Sequence, residues 1–160
     1  MEKIDVVDKN DRVIGVAGRE ELYQKNLRHR IVHILVFNNK GEMALQLRTK
    51  TVSFCPDHWS TAAGGHVGSG ETYEQAAKRE LMEEMGIGGD LKLFKKDTYR
   101  VNRDLEKFIT IYKVIYEGRF DFDKNDIAKV EYFPIDTIKN MISDGEKIHP
   151  ELKYIINKYY

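Results

Sequence analysis

Glu80, Glu83 and Glu84 stand three and four residues apart in the run Arg79-Glu80-Leu81-Met82-Glu83-Glu84. On an α-helix, at about 100° per residue, the three carboxylates fall within an arc of roughly 100°. That crowding has a cost. Like charges at these spacings repel by about 0.2–0.5 kcal/mol per pair, and the last turns of a helix favour cations. Stability alone would place glutamates in the first turn. The cluster is better explained if a cation sits on it, and carboxylate oxygens with water are the ligand set for Mg²⁺ or Mn²⁺. For an isolated E-x-x-E-E the competing reading is a solvated acidic face that Arg79 partly neutralises.

The elements around the cluster bear on that choice. Thr72 with Gln75 three residues on predicts a capped helix start, and Gly86 predicts its left-handed end. The residues between, from Ala76 to Met85, are nearly all good helix formers. Upstream, Gly65, Gly68 and Gly70 predict a loop whose backbone can approach a ligand closely. From Gly65 to Ile87 the spacing is G-x5-E-x7-R-E-L-x-E-E-x-G-I. Nine specified positions at fixed spacing match by chance at well below about one in ten million per starting position.

This stretch resembles the Nudix box, G-x5-E-x7-R-E-U-x-E-E-x-G-U with U apolar, and matches it at every position. The resemblance implies a Nudix hydrolase: an α/β/α sandwich with a mixed β-sheet between helices. It also implies divalent-metal-dependent cleavage of a diphosphate bond in a nucleoside diphosphate derivative or a nucleoside di- or triphosphate. By the same resemblance Glu80, Glu83 and Glu84 are metal ligands, with the Gly65 backbone carbonyl. Arg79 orients the cluster by ion pairing, and Glu71 belongs to the same network. Glu83 is the first choice of general base, with Glu131 and Glu106 as candidates outside the box.

The whole chain narrows the field. Its 160 residues are long enough for one domain, 1–160, with a sizeable core. With 26 basic and 26 acidic residues the net charge is zero, which gives no electrostatic reason to propose nucleic-acid or anionic-membrane binding. The single cysteine, Cys55, excludes an internal disulfide and suits a reducing cytoplasm. Met1 to Asp5 has no apolar signal core, and no segment approaches the ~20 apolar residues of a bilayer span.

In chain order, residues 3–8 and 12–16 predict an N-terminal β-hairpin and 19–24 a short helix, which either cover one side of the fold or shape its pocket. Residues 28–37 predict a central strand. Asn38 to Gly41 predict a turn, and residues 43–48 the partner strand of that hairpin. Arg48, where the chain leaves the sheet, is a candidate phosphate contact, with an ordinary surface role equally open. Residues 49–59 form a loop. Residues 91–94, 97–101, 108–116 and 130–133 predict strands, with a charged hairpin loop at 100–107. Pro134 opens a helix over 135–143, and His149-Pro150-Glu151 opens a last one. Its tail, with Tyr154, Tyr159 and Tyr160, either packs in the core or stacks a base.

A narrower resemblance covers roughly the first 90 residues. Arg28-His29-Arg30, Leu45-Gln46-Leu47-Arg48, Pro56-Asp57-His58-Trp59 and Gly65-His66 resemble the isopentenyl-diphosphate isomerase branch of the superfamily. That isomerase uses a cysteine two residues before the glycine-loop histidine; here that position is Gly64, and the box is complete. His29 and His66 match metal-ligand histidines of the isomerase. Gly64, His66 and Arg48 are assigned to the substrate side. The expected partner is a small diphosphate, nucleotide-derived, and homodimers are common in the family. An isomerase and a non-catalytic ligand-binding module are the alternatives.

Overall fold

A computed structural model describes residues 2–160, so Met1 lies outside the described residues. In chain order the elements are β1 (Lys3–Val7), β2 (Val13–Gly18), α1 (Arg19–Gln24), β3 (Arg30–Phe37), β4 (Met43–Arg48), β5 (Trp59–Thr61), β6 (Ala63–His66), α2 (Tyr73–Met85), β7 (Lys92–Asn102), β8 (Leu105–Ile115), β9 (Ile127–Phe133), α3 (Ile135–Ser143) and α4 (Pro150–Tyr159).

Apart from Arg30 and His33, β3 is apolar because both faces are covered. Val32, Ile34 and Val36 pack with Ala77, Leu81 and Met85 of α2. Ile31 and Leu35 pack with Ile138 of α3 and with Leu152, Ile155 and Ile156 of α4. The result is the expected α/β/α sandwich around a mixed seven-stranded sheet, in which β3 runs parallel to β8 and the other pairings are antiparallel.

Two expectations are corrected. β4 was expected to pair along β3, but the two meet only at Phe37 and Met43. Residues 59–66 enter between them as a wedge. β5 pairs with β4 through Trp59, Ser60 and Thr61, and β6 pairs with β3 from Ala63 to His66. The wedge satisfies the inner edges of both strands while forcing them apart, and the functional cavity opens at that split. The charged loop expected at 100–107 is also much shorter. β7 continues to Asn102 and β8 begins at Leu105. The Asn102 side chain accepts the Asp104 and Leu105 N–H groups at 2.8 and 3.0 Å, so Asn102 itself tightens the turn.

The N-terminal hairpin and α1 enclose their own small core of Ile4, Val6, Ala17 and Leu22. Asp5 joins this unit to the start of the box by accepting from Ser69 Oγ at 2.8 Å and from the Gly70 N–H at 3.2 Å. The C-terminal tyrosines pack in the α3/α4 core rather than in the cavity described below: Phe94 lies edge-on to Tyr159, and Tyr154 edge-on to Tyr99. Among the described residues, no helix is long and apolar enough to cross a membrane.

Candidate active site

α2 carries the acidic cluster, and its ends form as the sequence predicts. Thr72 Oγ1 accepts the Gln75 N–H at 3.1 Å, and Gln75 Oε1 accepts the Thr72 N–H at 2.9 Å. Gly86 closes the helix at φ 67°, its N–H donating to the Met82 carbonyl at 3.0 Å. Ala76, Ala77, Leu81 and Met85 form the buried stripe. That stripe turns Glu80 and Glu84 toward the strand wedge.

Gly65 differs from expectation in lying within β6 with Gly64, opposite Val32 and His33 respectively, rather than in a loop. Their lack of side chains serves close packing. A Cβ on Gly65 would collide with the Glu80 carboxylate, and one on Gly64 would lie 2.9 Å from the Val32 carbonyl and 3.0 Å from His33 Nδ1. Glu84 settles into this gap. Its Oε2 accepts the Gly64 N–H at 2.9 Å, and its Oε1 accepts from Gln46 Nε2 at 3.0 Å. Gln46 also donates to the Ala62 carbonyl at 2.9 Å, so one amide ties β4 to the wedge and to α2.

Arg79 binds the rest of the cluster. Its Nε and Nη2 form a fork on Glu71, both at 2.8 Å. Nη1 reaches Glu80 at 2.8 Å and Glu83 at 3.2 Å, and Nη2 also donates to the His66 carbonyl at 3.1 Å. Arg79 holds the Glu71 carboxyl below the usual carboxylate range. Glu84 has no such partner. Burial, with the adjacent Glu80 charge, pushes its pKa up to about 8, and burial raises Glu80 as well.

Four carboxylates against one guanidinium leave a charge excess that a cation would relieve, and the donor set is all oxygen. That fits a hard divalent ion. Among the described residues, no three His, Cys, Asp or Glu side chains close around a single metal-sized point. The reason is visible in the contacts: Arg79 draws Glu80 and Glu83 toward itself, while the Glu84 oxygens accept from Gly64 of the wedge and from Gln46 of β4.

Glu80, Glu83 and Glu84 line a cavity of about 340 Å³, together with Gly64, Gly65, His66 and Arg48. The site expected from sequence is therefore brought together, with Arg79 and Glu71 immediately behind it. The two outside candidates for the base are not there. Glu106 pairs with Arg100 at 3.1 Å, and Glu131 with Lys129 at 3.0 Å; neither lines the cavity. Arg48 faces the cavity and also donates from Nε to the Phe54 carbonyl at 3.0 Å. The N-terminal segment shapes the pocket too, because Arg19 and Tyr23 line it.

Further lining residues escaped the sequence reading. Lys107 of β8, 5% exposed, pairs with Glu151 at 3.2 Å. Glu151, in the first turn of α4, also accepts from His33 Nε2 at 2.8 Å, and His33 Nδ1 meets Thr61 Oγ1 at 2.6 Å. Burial works against the Glu151 charge, but His33 and Lys107 outweigh it and hold the carboxyl far below its ordinary value. One signal was available for Lys107: Leu105, Lys107, Ile109 and Ile111 share the inward face of β8, and a lysine in such a row is anomalous.

His29 and His66 lie together, with ring centroids 5.3 Å apart. Burial pushes both down, to about 4 and about 3, and the nearby Lys107 charge acts in the same direction. His66 Nε2 faces Tyr23 Oη at 2.9 Å, and His29 Nδ1 faces the Leu27 carbonyl at 2.7 Å. A neutral imidazole is the form that ligates metals, but Tyr23 occupies His66 Nε2 and the nearby Lys107 ammonium opposes a cation at this pair.

A family model described as NUDIX domain matches residues 27–153. The chain is 31% identical over 157 residues to Isopentenyl-diphosphate Delta-isomerase 2 of Photorhabdus laumondii, spanning 95% of this chain and 89% of that protein. It is 30% identical over 129 residues to the Nudix hydrolase YfcD of Escherichia coli, spanning 81% and 72%. The crystal structure of DR0079 from Deinococcus radiodurans is similar with a TM-score of 0.85 at 27% identity, covering 99% of each chain.

Proposed function

Because this chain belongs to the Nudix family, as a hydrolase acting on phosphorus-containing anhydrides, we propose that it is a divalent-metal-dependent pyrophosphohydrolase of a small nucleotide-derived diphosphate. The observation that carries this reading is the excess of carboxylate over guanidinium where Glu80, Glu83 and Glu84 face the cavity. A volume of about 340 Å³ is at the small end of ligand pockets, which run from roughly 300 to 1,000 Å³.

Glu80, Glu83 and Glu84 are the residues that would hold Mg²⁺ or Mn²⁺, with the Gly65 carbonyl beside them. A divalent cation supplies charge neutralisation on the diphosphate and a lowered pKa for the attacking water. Arg79 and Glu71 keep the helix face in register for that task. Glu83 is the natural proton acceptor: its side chain is 58% exposed, and it holds a single longer contact to Arg79. Gly64, His66 and Arg48 border the space left for the substrate.

The likeness to an isomerase makes isomerisation the reading to test against. Two observations weigh against it. Gly64 stands at the position of the isomerase cysteine, and side-chain atoms there would press on Val32 and His33. Among the described residues the cavity wall is also predominantly polar, with Ile31 and Phe54 its only purely hydrocarbon side chains. A five-carbon hydrocarbon substrate would find little apolar surface to bury against.

The deciding experiment is a phosphate-release screen with Mg²⁺ and with Mn²⁺. It covers nucleoside di- and triphosphates, ADP-ribose, nucleotide sugars, dinucleoside polyphosphates and isopentenyl diphosphate, with phosphatase coupling for blocked products. Metal-dependent cleavage of one nucleotide class, abolished by Glu84→Gln, is expected. Conversion of isopentenyl diphosphate to dimethylallyl diphosphate without phosphate release would overturn the proposal.

A further inference from the structure

The cavity has a second built region, distinct in charge from the carboxylate cluster. Lys107 is almost completely enclosed, yet it lines the open space. Burying an ammonium is costly unless it is paired, and the pairing here is partial. Among the described residues its hydrogen-bond partner is Glu151, at 3.2 Å. The Tyr23 ring lies beside it, 5.1 Å from Nζ to the centroid. An ammonium has three donors to place.

The support behind Lys107 is deep. Glu151 is anchored by His33, and His33 in turn by Thr61, whose hydroxyl reaches the Ala63 carbonyl at 3.2 Å. This chain of contacts joins α4 to β3 and to both halves of the wedge. It fixes the height of the ammonium above the sheet. A buried pair of this kind stabilises a fold no better than apolar residues of the same volume. A purely structural pair also has no reason to border a cavity that Arg19 and Arg48 line as well.

We propose that Lys107, aimed by Glu151 and His33, is a binding contact for a phosphate oxygen of the diphosphate substrate. The assignment rests on the hydrolase reading for the identity of the substrate, but not for the chemistry of the contact. A fixed ammonium with free donors in a polar cavity recognises an oxyanion. The substrate then spans the cavity between two unlike sites, with the diphosphate bridge at the carboxylate cluster and a further phosphate oxygen on Lys107. No proton is moved by Lys107 in this role.

The test uses the full chain with four variants: Lys107→Met, Lys107→Arg, Glu151→Gln and the double variant Lys107→Met/Glu151→Gln. The single methionine variant leaves the Glu151 carboxylate short of its ammonium and invites misfolding. The double variant removes both charges at nearly constant volume and keeps an acceptor for His33. Methylenediphosphonate, which cannot be hydrolysed, serves as the probe by calorimetry with and without Mg²⁺. KM and kcat are measured in parallel on whichever substrate the screen identifies.

The folded double variant is expected to bind methylenediphosphonate about ten- to hundredfold more weakly, with KM rising by a similar factor. Lys107→Arg should retain most of the affinity, and Glu151→Gln should fall between. Unchanged Kd and KM in the folded double variant would make the pair structural and overturn the assignment. So would a wild type that does not bind the probe at millimolar concentration. The two readings fail separately. A wild type that hydrolyses nothing, but binds the probe in a Lys107-dependent way, loses the hydrolase and keeps the anion contact. Normal hydrolysis that ignores Lys107 does the reverse.

Discussion

Glu84→Gln offers the sharpest test of the cluster, because it separates stability from metal binding. Burial and the Glu80 charge lift the Glu84 pKa from 4.5 to about 8. Folded Glu84 thus keeps its proton over a range where the unfolded chain has already released it. The sign follows from linkage: this contribution to stability is complete below about 4.5 and is lost as pH rises through about 8. At about 1.4 kcal/mol per tenfold change in proton affinity, it is on the order of 4 kcal/mol after allowing for residual solvent contact. The amide of the variant cannot ionise. Its oxygen can still accept the Gly64 N–H, but its nitrogen then faces the Gln46 amide, which costs one hydrogen bond, about 1 kcal/mol. Urea melts from about pH 6 to about pH 9, in EDTA and in Mg²⁺, make the comparison. The metal-free wild type should weaken steadily toward alkaline pH, and Mg²⁺ at a hundred times its Kd should restore about 2.7 kcal/mol. The variant should show a much flatter profile, with the residual slope set by Glu80, and little Mg²⁺ response. Its turnover should fall at least about a hundredfold. Equal pH slopes and equal Mg²⁺ stabilisation in the two proteins would refute the argument that Glu84 is the strained carboxylate awaiting a cation.

Three further outcomes follow from other contacts. Gly65→Ala should cost about 1–3 kcal/mol, or displace Glu80 and weaken Mg²⁺ binding, because its Cβ meets the Glu80 carboxylate; melts paired with a metal titration would show which, and a variant like wild type in both would remove Gly65 from the packing argument. Arg79→Lys keeps the charge but loses the fork on Glu71 and the simultaneous reach to Glu80 and Glu83; kcat should drop about tenfold or more, and full activity would show that Arg79 is only a counter-charge. Below neutral pH the buried histidines work the other way: His29, His149 and His66, pushed by burial from 6.5 to about 4, about 4 and about 3, make contributions present above 6.5 and lost as pH falls through those values, each about 3–5 kcal/mol. Because Glu84 has the opposite slope in this window, the metal-free melts are run on Glu84→Gln, where a profile that stays flat between 6.5 and 4 would contradict their burial as neutral rings.

What the sequence disclosed and what it hid divide along one physical line. The helix of the box was legible because its cap, stop and charge pattern are all local, set by contacts three or four residues apart. Glu80, Glu83, Glu84, Arg79 and Glu71 came with it. The strands were legible as apolar runs, but their partners were not. Nothing within residues 43–48 says that residues 59–61 will take the inner edge of β4, since pairing depends on which edge is free when the sheet assembles. Gly65 looked like a loop residue for the same reason: a glycine with no Cβ is equally useful in a turn and against a carboxylate from another element.

The residues missed altogether share a longer reach. Glu151 meets His33 across 118 residues and Lys107 across 44. Read locally, Glu151 is an acidic residue in a helix first turn, where acidic residues are common, and His33 is one polar residue in an apolar strand. Only the fold shows that both border the same split in the sheet as the box does. The arrangement also explains why the box alone leaves the substrate open. The box supplies a cation-holding face on one helix. The remaining walls include residues of β3, β4, β8, α4 and the N-terminal segment, all outside the box. Two relatives that share the box can therefore present unlike walls to a diphosphate. In this chain those walls carry Lys107, Arg48 and Arg19 beside Asp123, Asp126 and Glu151, with little hydrocarbon.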